Sequence, residues 1–485
     1  MISKCSALPV LLLIFCQIVH FSQQLDCSQI KDSDQVAGKT LKIPESSTSP
    51  VDVPANFNCT YKIKPPSLVY AQVNVTSNLK NFGDVITVTD WKGGVTKIVS
   101  NATFTTNFYV FSQTETTVNV ATGNSNGSQF LITISYVSLP VPLEKTLDKT
   151  PQNLNYYMLD ILRRQPITVS SDDKLTLTVA RSSHTADQFS NYYVIDGNFS
   201  DPKSINKLSD LSATSFNFKS TGNQLTVVGL DNQSQYSSII FTPANQSTGY
   251  SKFAGVTVAD RTGTVNVNVA KNEIAAVMVV AKNSDQLVLT TLKEDTTSSN
   301  CILLSVTGPP SAQSQTLIDF YSDTYSIPQL FPFNYFTFIA ANCSAQLSFS
   351  TKIPGDYYEI SDEKSGFIFS PSYFNSAAKS DFNVTYTYTG TDKMQFSVDI
   401  DSVAGNSNGQ LDVNIYDEKW QKMLSTVITG DESGTRSRAF GKYLNVQMSG
   451  GGSSKLRYRL SSSSFGVFGF TSQLSMLFLL LWIIF

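Results

Sequence analysis

Hydrophobic and polar residues alternate along most of this chain with a period of two. In "LVYAQVNV", Val69, Ala71, Val73 and Val75 fall on one face and Asn74 on the other. The same alternation recurs at Phe130, Ile132, Ile134 and Tyr136; at Leu175, Leu177 and Val179; at Val265, Val267 and Val269; at Val384, Tyr386 and Tyr388; and at Met394, Phe396, Val398 and Ile400. Such runs are typical of half-buried strands, and turn clusters such as "DWKGG" and "AGNSNG" separate them. The pattern predicts an all-β fold of tandem antiparallel β-sandwiches.

Three segments leave alternatives open. The stretch "PQNLNYYMLDILRRQP", Pro151–Pro166, fits either two helical turns or a strand. The aromatic segments "FPFNYFTF", Phe331–Phe338, and "NFYVF", Asn107–Phe111, fit either a recognition surface or core strands. We favour core strands, because alternate residues of a strand face inward.

The first residues have the layout of a secretory signal. One lysine precedes an apolar run from Ala7 to Val19, and polar residues follow. We predict a signal peptide over residues 1–22, cleaved between Ser22 and Gln24. The alternative, a signal anchor, fits less well because the run is short and its downstream flank is polar.

The last residues have the layout of a GPI-attachment signal. Small residues in "LSSSS" precede a mildly apolar spacer and an uncharged end, Leu474–Phe485. We predict removal of the segment 461–485, with Ser461 or Ser462 as the acceptor; Ser449–Ser454 is a second candidate. The alternative is a short membrane anchor over Phe465–Phe485, without the cationic residues that usually follow a span.

Cysteines and glycosylation sequons fit the same secretory route. Cys5 and Cys16 lie in the signal, and the mature chain keeps Cys27, Cys59, Cys301 and Cys343. Four cysteines allow three pairings, and proximity in sequence favours Cys27–Cys59 and Cys301–Cys343. Nine asparagines begin N-x-S/T sequons: Asn58, Asn74, Asn101, Asn126, Asn198, Asn232, Asn245, Asn342 and Asn383. Asn58 and Asn342 adjoin a cysteine, so we expect these two to be less accessible.

Composition and motifs argue against catalysis. Charged residues make up 15% of the chain and the net charge is −3; without a basic stripe, nucleic acid is not an expected partner. The chain has two histidines: His20 lies in the signal, and His184 is not accompanied by a G-x-S-x-G, H-E-x-x-H or C-x-x-C motif. A carboxylate pair of the glycosidase type needs no fixed spacing and stays open. We predict no enzyme activity, cofactor or metal.

The first module shows a family resemblance. Cys27 is followed by "FNCTYKIKPP", by the strand "VYAQVNVTS", by Asp84–Asp90 with "DVITVTD", and by the closing strand "FLITISY". This order, over about residues 25–138, resembles the CUB-like domain family that is abundant in secreted nematode proteins. The resemblance implies a jelly-roll β-sandwich with Cys27–Cys59 as its first disulfide.

The pattern recurs along the chain. "LTLTVARSSHTADQFSNYYVIDGNFS" and the pair "SGFIFSPSYFN" and "LDVNIYD" repeat parts of it. We predict a CUB-like domain at 25–140, a degenerate module at 145–250, a β-rich module with Cys301 and Cys343 at 251–355, and a second degenerate module at 360–460.

Many CUB domains hold Ca²⁺ with one glutamate and two aspartates, so the resemblance raises the question of a metal. Asp84 occupies the family's aspartate position, but only Asn78 and Asn81 stand where the glutamate is expected. The corresponding positions of the second and fourth modules are Ser190 and Leu411. These departures argue against Ca²⁺, since a hard cation needs several oxygen ligands. Asp90, Asp196 and Asp417 are instead interpreted as turn residues.

The resemblance also implies a function. Nematode CUB-like proteins resemble intestinal secreted or surface factors associated with innate responses to pathogens. We therefore expect a GPI-anchored glycoprotein at the extracellular face of the plasma membrane, some of it secreted, that binds an extracellular protein or glycan in host defence. A structural glycocalyx or adhesion component is the main alternative, and a carbohydrate-active hydrolase is the other.

Overall fold

The fold is taken from a computed structural model of the chain. It describes residues 25, 27–148, 150, 153–183, 187–213, 217–231, 234–259, 262–294, 301–311, 313–320, 326–362, 364–373, 381–405 and 409–462. The predicted signal peptide, residues 463–485 of the C-terminal segment, His184 and Asn232 lie outside these residues. The chain forms two compact units that divide between Pro140 and Val141.

The N-terminal unit is built from nine described strands. In chain order they are β1 (Thr40–Ile43), β2 (Val51–Asp52), β3 (Asn58–Ile63), β4 (Val69–Asn78), β5 (Val85–Thr89), β6 (Val95–Ile98), β7 (Phe104–Val110), β8 (Thr116–Ala121) and β9 (Gln129–Ser138), after a 3-10 turn at Asp32–Asp34. One antiparallel sheet has the order β1-β9-β4-β7, with β2 also paired to β9, and the other has the order β3-β8-β5-β6.

The alternation read from the sequence sets the core of this unit. Residues of β4 are alternately buried and half-buried along the whole strand. The buried set packs against inward residues of the second sheet, among them Ile86, Val118 and Val120. Strand pairing satisfies the hydrogen-bonding groups of the backbone, and burial removes these apolar side chains from water.

The C-terminal unit is also built from strands. They are β10 (Leu143–Thr146), β11 (Asn155–Met158), β12 (Ile167–Ser170), β13 (Leu175–Arg181), β14 (Tyr192–Gly197), β15 (Pro202–Lys207), β16 (Phe218–Lys219), β17 (Gln224–Gly229), β18 (Ser238–Pro243), β19 (Lys252–Val258), β20 (Thr262–Val267), β21 (Ile274–Ala281), β22 (Leu287–Glu294), β23 (Ile302–Val306), β24 (Thr316–Asp319), β25 (Gln329–Phe331), β26 (Tyr335–Ala341), β27 (Ala345–Ser350), β28 (Glu359–Ile360), β29 (Ser365–Phe369), β30 (Phe382–Tyr388), β31 (Met394–Gly405), β32 (Gln410–Tyr416), β33 (Lys422–Thr429), β34 (Thr435–Phe440), β35 (Tyr443–Ser449) and β36 (Gly452–Ser462). The helical elements of this unit include α1 (Leu208–Ala213) and 3-10 turns at Leu159–Ile161 and Ala244–Ser247.

These strands form five sheets. The orders are β10-β12-β17-β14-β15; β11-β18-β13-β19-β21-β26-β23-β24, with β16 on β13; β20-β27-β22-β25; β28-β30-β35-β32-β33; and β29-β36-β31-β34. Most neighbours are antiparallel, and β10–β12, β13–β19, β19–β21 and β28–β30 are parallel. The predicted all-β class is confirmed.

One sheet runs through the boundary predicted at residue 250. Strands β13 and β19 pair in parallel at Ala180 with Gly255 and at Arg181 with Val256. One buried cluster includes both Ala180 and Ile240 from before residue 250 and Phe336 from after it. The segments 145–250 and 251–355 therefore share a sheet and a core.

The first and last sandwiches have the same strand order. The sheets β3-β8-β5-β6 and β30-β35-β32-β33 correspond strand by strand, and so do β1-β9-β4-β7 and β29-β36-β31-β34. The last sandwich has its own core, with Leu411, Val413 and Ile415 fully buried. This shared strand order is consistent with the prediction that residues 360–460 are a degenerate CUB-like module. That assignment stays a prediction.

The structure decides three local expectations. The Pro151–Pro166 stretch is neither a two-turn helix nor a full strand, because β11 passes directly into the 3-10 turn at Leu159–Ile161. Strand β13 is not half-buried as its alternation predicted: Thr176 and Thr178 are buried together with Leu177. The aromatic segment Phe331–Phe338 is core, with Phe336 and Phe338 fully buried.

Candidate functional site at the Asp84 end of the N-terminal sandwich

Asp84 is a buried carboxylate at one end of the N-terminal sandwich. It directly precedes β5, and its side chain is only 3% exposed. The Gly123 amide donates to Oδ1 at 2.8 Å, and the Asn81 side-chain amide donates to Oδ2 at 3.0 Å. The Ser128 hydroxyl also donates to Oδ2. Both oxygens are thus engaged by donors from two different loops.

These donors decide the charge of Asp84. Burial raises the pKa of the carboxyl, but the hydrogen bonds from Ser128, Gly123 and Asn81 outweigh it and hold the pKa below the ordinary aspartate value. Asp84 is therefore ionised at neutral pH. Hydrogen bonds to an ionised acceptor are stronger than bonds between neutral groups.

The same network locks two loops together. The Asn81 side-chain amide also donates to the carbonyls of Ser125 and Asn126, both at 3.3 Å. The Lys80 backbone amide donates to the Ser128 hydroxyl at 2.9 Å. The loop before β5 is therefore tied to the loop between β8 and β9 at several points.

The residues at this end do not fit a calcium site. Ca²⁺ takes six to eight oxygen ligands, several of them usually carboxylates. Both Asp84 oxygens face N–H and O–H donors, which a cation would have to displace. The Asn78 side-chain oxygen is buried without a partner, but it adds one neutral ligand at most. Among the described residues, no three His, Cys, Asp or Glu side chains are grouped as metal ligands.

Exposed apolar residues lie on the locked loop and on the segment beside it. Phe82 lies between Asn81 and Asp84, and its side chain is fully exposed. Val99 and Phe104 are also exposed, at 65% and 56%. The Leu79 amide donates to the Ser100 carbonyl at 2.8 Å, so the two segments lie side by side. Phe82, Val99 and Phe104 are hereafter the Phe82 surface.

The other residues that the sequence analysis considered in connection with calcium lie in different environments. Ser190 is exposed. Leu411 points into the core of the last sandwich and is fully buried. Asp90 and Asp417 are turn residues, each accepting two backbone amides after its strand. Asp196, predicted to be a turn residue that terminates a strand, is instead the penultimate residue of β14, is 1% exposed and accepts the Thr221 amide.

The sequons differ in exposure. The exposed asparagines are Asn58, Asn101, Asn126, Asn245 and Asn383, and the half-buried ones are Asn74, Asn198 and Asn342. Asn58 is exposed although it adjoins Cys59, since a strand points consecutive side chains to opposite faces. Asn342 is half-buried and has a positive φ of 61°.

The described cysteines form the two disulfides that sequence proximity favoured. Cys27 pairs with Cys59 and Cys301 pairs with Cys343. Such bonds persist in oxidising compartments, and they indicate an extracellular protein. In the part of the chain that the structure describes, no helix has the length and apolar character of a membrane span.

Sequence reasoning found Asp84 but missed the Phe82 surface. The available signal was an aromatic residue inside a turn cluster, "KNFGD", where the chain has little opportunity to bury it. The position of Phe104 depends on the pairing of β4 with β7, and that of Val99 depends on the contact between Leu79 and Ser100; a single sequence displays neither.

Comparisons with known proteins find similarity to CUB-like domains. The family model described as CUB-like domain matches residues 22–140. No curated protein matches the chain. Among solved structures, the CUB1-EGF-CUB2 domains of rat MASP-1 are 11% identical, with 42% of this chain and 99% of that chain covered and a TM-score of 0.16.

Two further solved structures are similar at the same level. The CUB1-EGF-CUB2 domain of human MASP-1/3 is 9% identical, with 64% of this chain and 98% of that chain covered and a TM-score of 0.17. The full extracellular region of zebrafish Gpr126/Adgrg6 is 11% identical, with 65% and 52% covered and a TM-score of 0.17. The family match shows that residues 22–140 of this chain are similar to CUB-like domains.

Proposed function

We propose that this protein is an N-glycosylated extracellular protein, held at the outer face of the plasma membrane by a GPI anchor, that acts by binding rather than catalysis in defence against pathogens. The observation that carries the binding role is the Phe82 surface on a locked CUB-like scaffold. Its partner on this proposal is an extracellular protein, and nucleic acid has no part in it.

The chemistry of the Phe82 surface favours a protein partner. Transfer of the fully exposed Phe82 side chain from water into an apolar pocket of a partner makes the free energy of binding more favourable. Aromatic anchors of this kind dominate many protein interfaces. Because Asp84 and Asn81 fix the loop in advance, binding does not have to order it, which lowers the entropic cost.

The last strand supports Ser461 or Ser462 as the proposed attachment site. Strand β36 pairs with both β29 and β31, and its final residues Ser461 and Ser462 pair with Gln395 and Met394. Cleavage within Ser449–Ser454 would remove β36 from the middle of its sheet. Attachment at Ser461 or Ser462 keeps the whole sandwich, so it is the site that we propose.

The binding role is tested with Phe82→Ser. Purified protein is titrated against a panel of whole microbes and of purified surface glycoproteins. We expect Phe82→Ser to weaken binding roughly tenfold or more, as for a central interface anchor. Val141→Ser is the matched control, because Val141 is 87% exposed and lies outside the Phe82 surface. Equal binding by the two variants would refute this role of Phe82.

The tether is tested independently with phosphatidylinositol-specific phospholipase C. Treatment of expressing cells should release the protein, and mass analysis should find a lipid-derived glycan on a C-terminal peptide ending at Ser461 or Ser462. Retention of an intact peptide that reaches Phe485 would instead establish a membrane-embedded end.

The defence role requires a test in the source organism. Deletion of the gene should change survival after exposure to pathogens, and unchanged survival would argue against it. A structural glycocalyx component is the second candidate, favoured by the exposed sequons in both units, such as Asn101 and Asn383. That candidate predicts no saturable ligand on the whole panel.

A further inference from the structure

The last sandwich has a mainly polar outer face with aromatic rings at one end, on which Asn414 is 8% exposed and Val427 is 55% exposed. Leu411, Val413 and Ile415 of β32 point inward, so the intervening residues point outward. Across strands β30, β35, β32 and β33 the outward residues form three rows: Thr387, Tyr443, Tyr416 and Lys422; Thr385, Asn445, Asn414 and Ser425; and Asn383, Gln447, Asp412 and Val427. These rows are hereafter the amide face.

Three rings cluster at the first row. Trp420 lies in the turn between β32 and β33 and stacks on Tyr443, with ring centroids 4.0 Å apart and planes inclined by 12°. Tyr416 lies beside Trp420, with a centroid distance of 5.5 Å. The Trp420 side chain is nevertheless 55% exposed. Because Tyr443 covers one face of the indole, the exposed part belongs to the other face and the edges.

The backbone at Trp420 is unusual for such a residue. Its φ is +59°, in the left-handed region that favours glycine. The corresponding turn of the first sandwich, Asp90 to Gly94, has Gly93 at this position, with φ +83°. The turn therefore does not require an indole, and an aromatic residue there is a local strain that points to a role outside the turn.

The two turns have the same hydrogen bonds, which makes the comparison direct. Asp417 donates its amide to the Gln421 carbonyl at 3.0 Å, and Asp90 does the same to Gly94 at 3.0 Å. The Trp420 amide donates to the Asp417 carbonyl at 3.1 Å, and the Gly93 amide to the Asp90 carbonyl at 2.9 Å. Both turns contain a tryptophan, but only the second has it at the position of positive φ: Trp420 stands where the first turn has Gly93, and Trp91 lies two residues before Gly93.

The polar groups of the amide face are ordered in advance. The Asn445 side-chain amide donates to the Asn383 side-chain oxygen at 2.7 Å and to the Thr385 hydroxyl at 3.0 Å. The Ser425 hydroxyl donates to the Asn414 side-chain oxygen at 2.7 Å. Groups held in this way lose little rotamer freedom when a ligand hydrogen-bonds to them.

We propose that the amide face binds a neutral oligosaccharide. One pyranose ring stacks on Trp420, and the adjacent sugar rings lie along the rows. A pyranose ring has an apolar C–H face that suits an aromatic surface and a rim of hydroxyl groups that suits amides and hydroxyls. The rows are about 7 Å apart, since each step is two residues of a strand. The charged members, Asp412 and Lys422, lie in different rows, so the face has no strong preference for an ionic ligand.

The proposal does not depend on the Phe82 surface, which lies in the other unit. The competing occupant is the protein's own glycan, because the sequon residue Asn383 lies in the third row. The experiment therefore compares the glycosylated protein with Asn383→Gln.

The full chain is expressed through a secretory host and titrated with hexasaccharides of β-1,4-N-acetylglucosamine, β-1,4-glucose, β-1,3-glucose and α-mannose. Trp420 is made the only tryptophan by Trp91→Phe and Trp482→Phe. We expect a saturable change in indole emission with at least one probe. By calorimetry, Trp420→Gly and Tyr443→Leu should weaken that binding roughly tenfold or more. Phe440→Ala is the matched control: Phe440 is 42% exposed on β34, in the opposite sheet, and its loss should leave binding unchanged.

The thermal midpoint of Trp420→Gly separates binding from folding. Glycine relieves the positive φ while the ring stack is lost, so the midpoint should change by less than about 5 °C. If the wild type binds a probe and Trp420→Gly binds it equally well, the proposal is overturned. It is also overturned if neither the glycosylated protein nor Asn383→Gln binds any probe. A change of Trp420 emission on Asn383→Gln without any probe binding would assign the face to the protein's own glycan and would also overturn it.

Discussion

The Asp84 network makes a quantitative prediction about the N-terminal unit. Asp84→Asn keeps the side-chain shape but replaces one acceptor oxygen with an N–H₂ group that faces other donors. Of the bonds from Gly123, Asn81 and Ser128, those to the replaced oxygen are lost and the rest become neutral. A hydrogen bond to a charged group contributes about 1.5–3 kcal/mol, so we expect a loss of about 3 kcal/mol in the free energy of unfolding at pH 7.

Urea unfolding measures this loss, with Trp91 as the reporter of the N-terminal unit after Trp420→Phe and Trp482→Phe. Asp52→Asn is the control, because Asp52 is exposed and its bond from Gln129 is solvent-accessible; it should change stability by less than about 0.5 kcal/mol. Equal unfolding midpoints for Asp84→Asn and the control would refute the network argument.

The pH dependence is a second readout of the same group. The folded pKa of Asp84 lies below the unfolded value of about 3.9. Its stabilisation is therefore fully present above the unfolded pKa and is lost as pH falls through the folded pKa. The difference between wild type and Asp84→Asn should shrink in that acid range, and a constant difference would contradict the assignment. Adding Ca²⁺ or a chelator should leave the midpoint unchanged.

Three further predictions concern the C-terminal unit. Replacing Cys301 and Cys343 by serine opens a loop of 42 residues and should cost about 4 kcal/mol in urea unfolding; an unchanged midpoint would contradict it. Gly229→Ala places a Cβ 2.6 Å from a buried tyrosine ring and should cost about 1–3 kcal/mol, whereas Gly222→Ala meets nothing within 4 Å and should cost less. Burial lowers the pKa of Lys364 to about 8, so stability should rise with pH between about 8 and the unfolded lysine value near 10.4, and Lys364→Met should abolish that rise.

Some residues of the candidate sites were readable from the sequence and others were not. Asp84 was singled out because it occupies the aspartate position of the family that the first module resembles. Its role was not, since the donors Gly123 and Ser128 belong to a loop some forty residues later. Trp420 looked like one more residue of a turn cluster, "DEKWQ". Its stack on Tyr443 depends on the pairing of β32 with β35.

The sequence by itself determined the all-β class, because side chains alternate across a strand and the alternation is written in the residue order. Strand β4 follows that pattern along its whole length. It also determined the turns at Asp90 and Asp417, since an aspartate binds backbone amides within a few residues of itself. Only the tertiary structure decided that β13 pairs with β19 across residue 250 and is buried on both faces. Pairing and burial depend on which distant strands meet, and a local pattern carries no information about that choice.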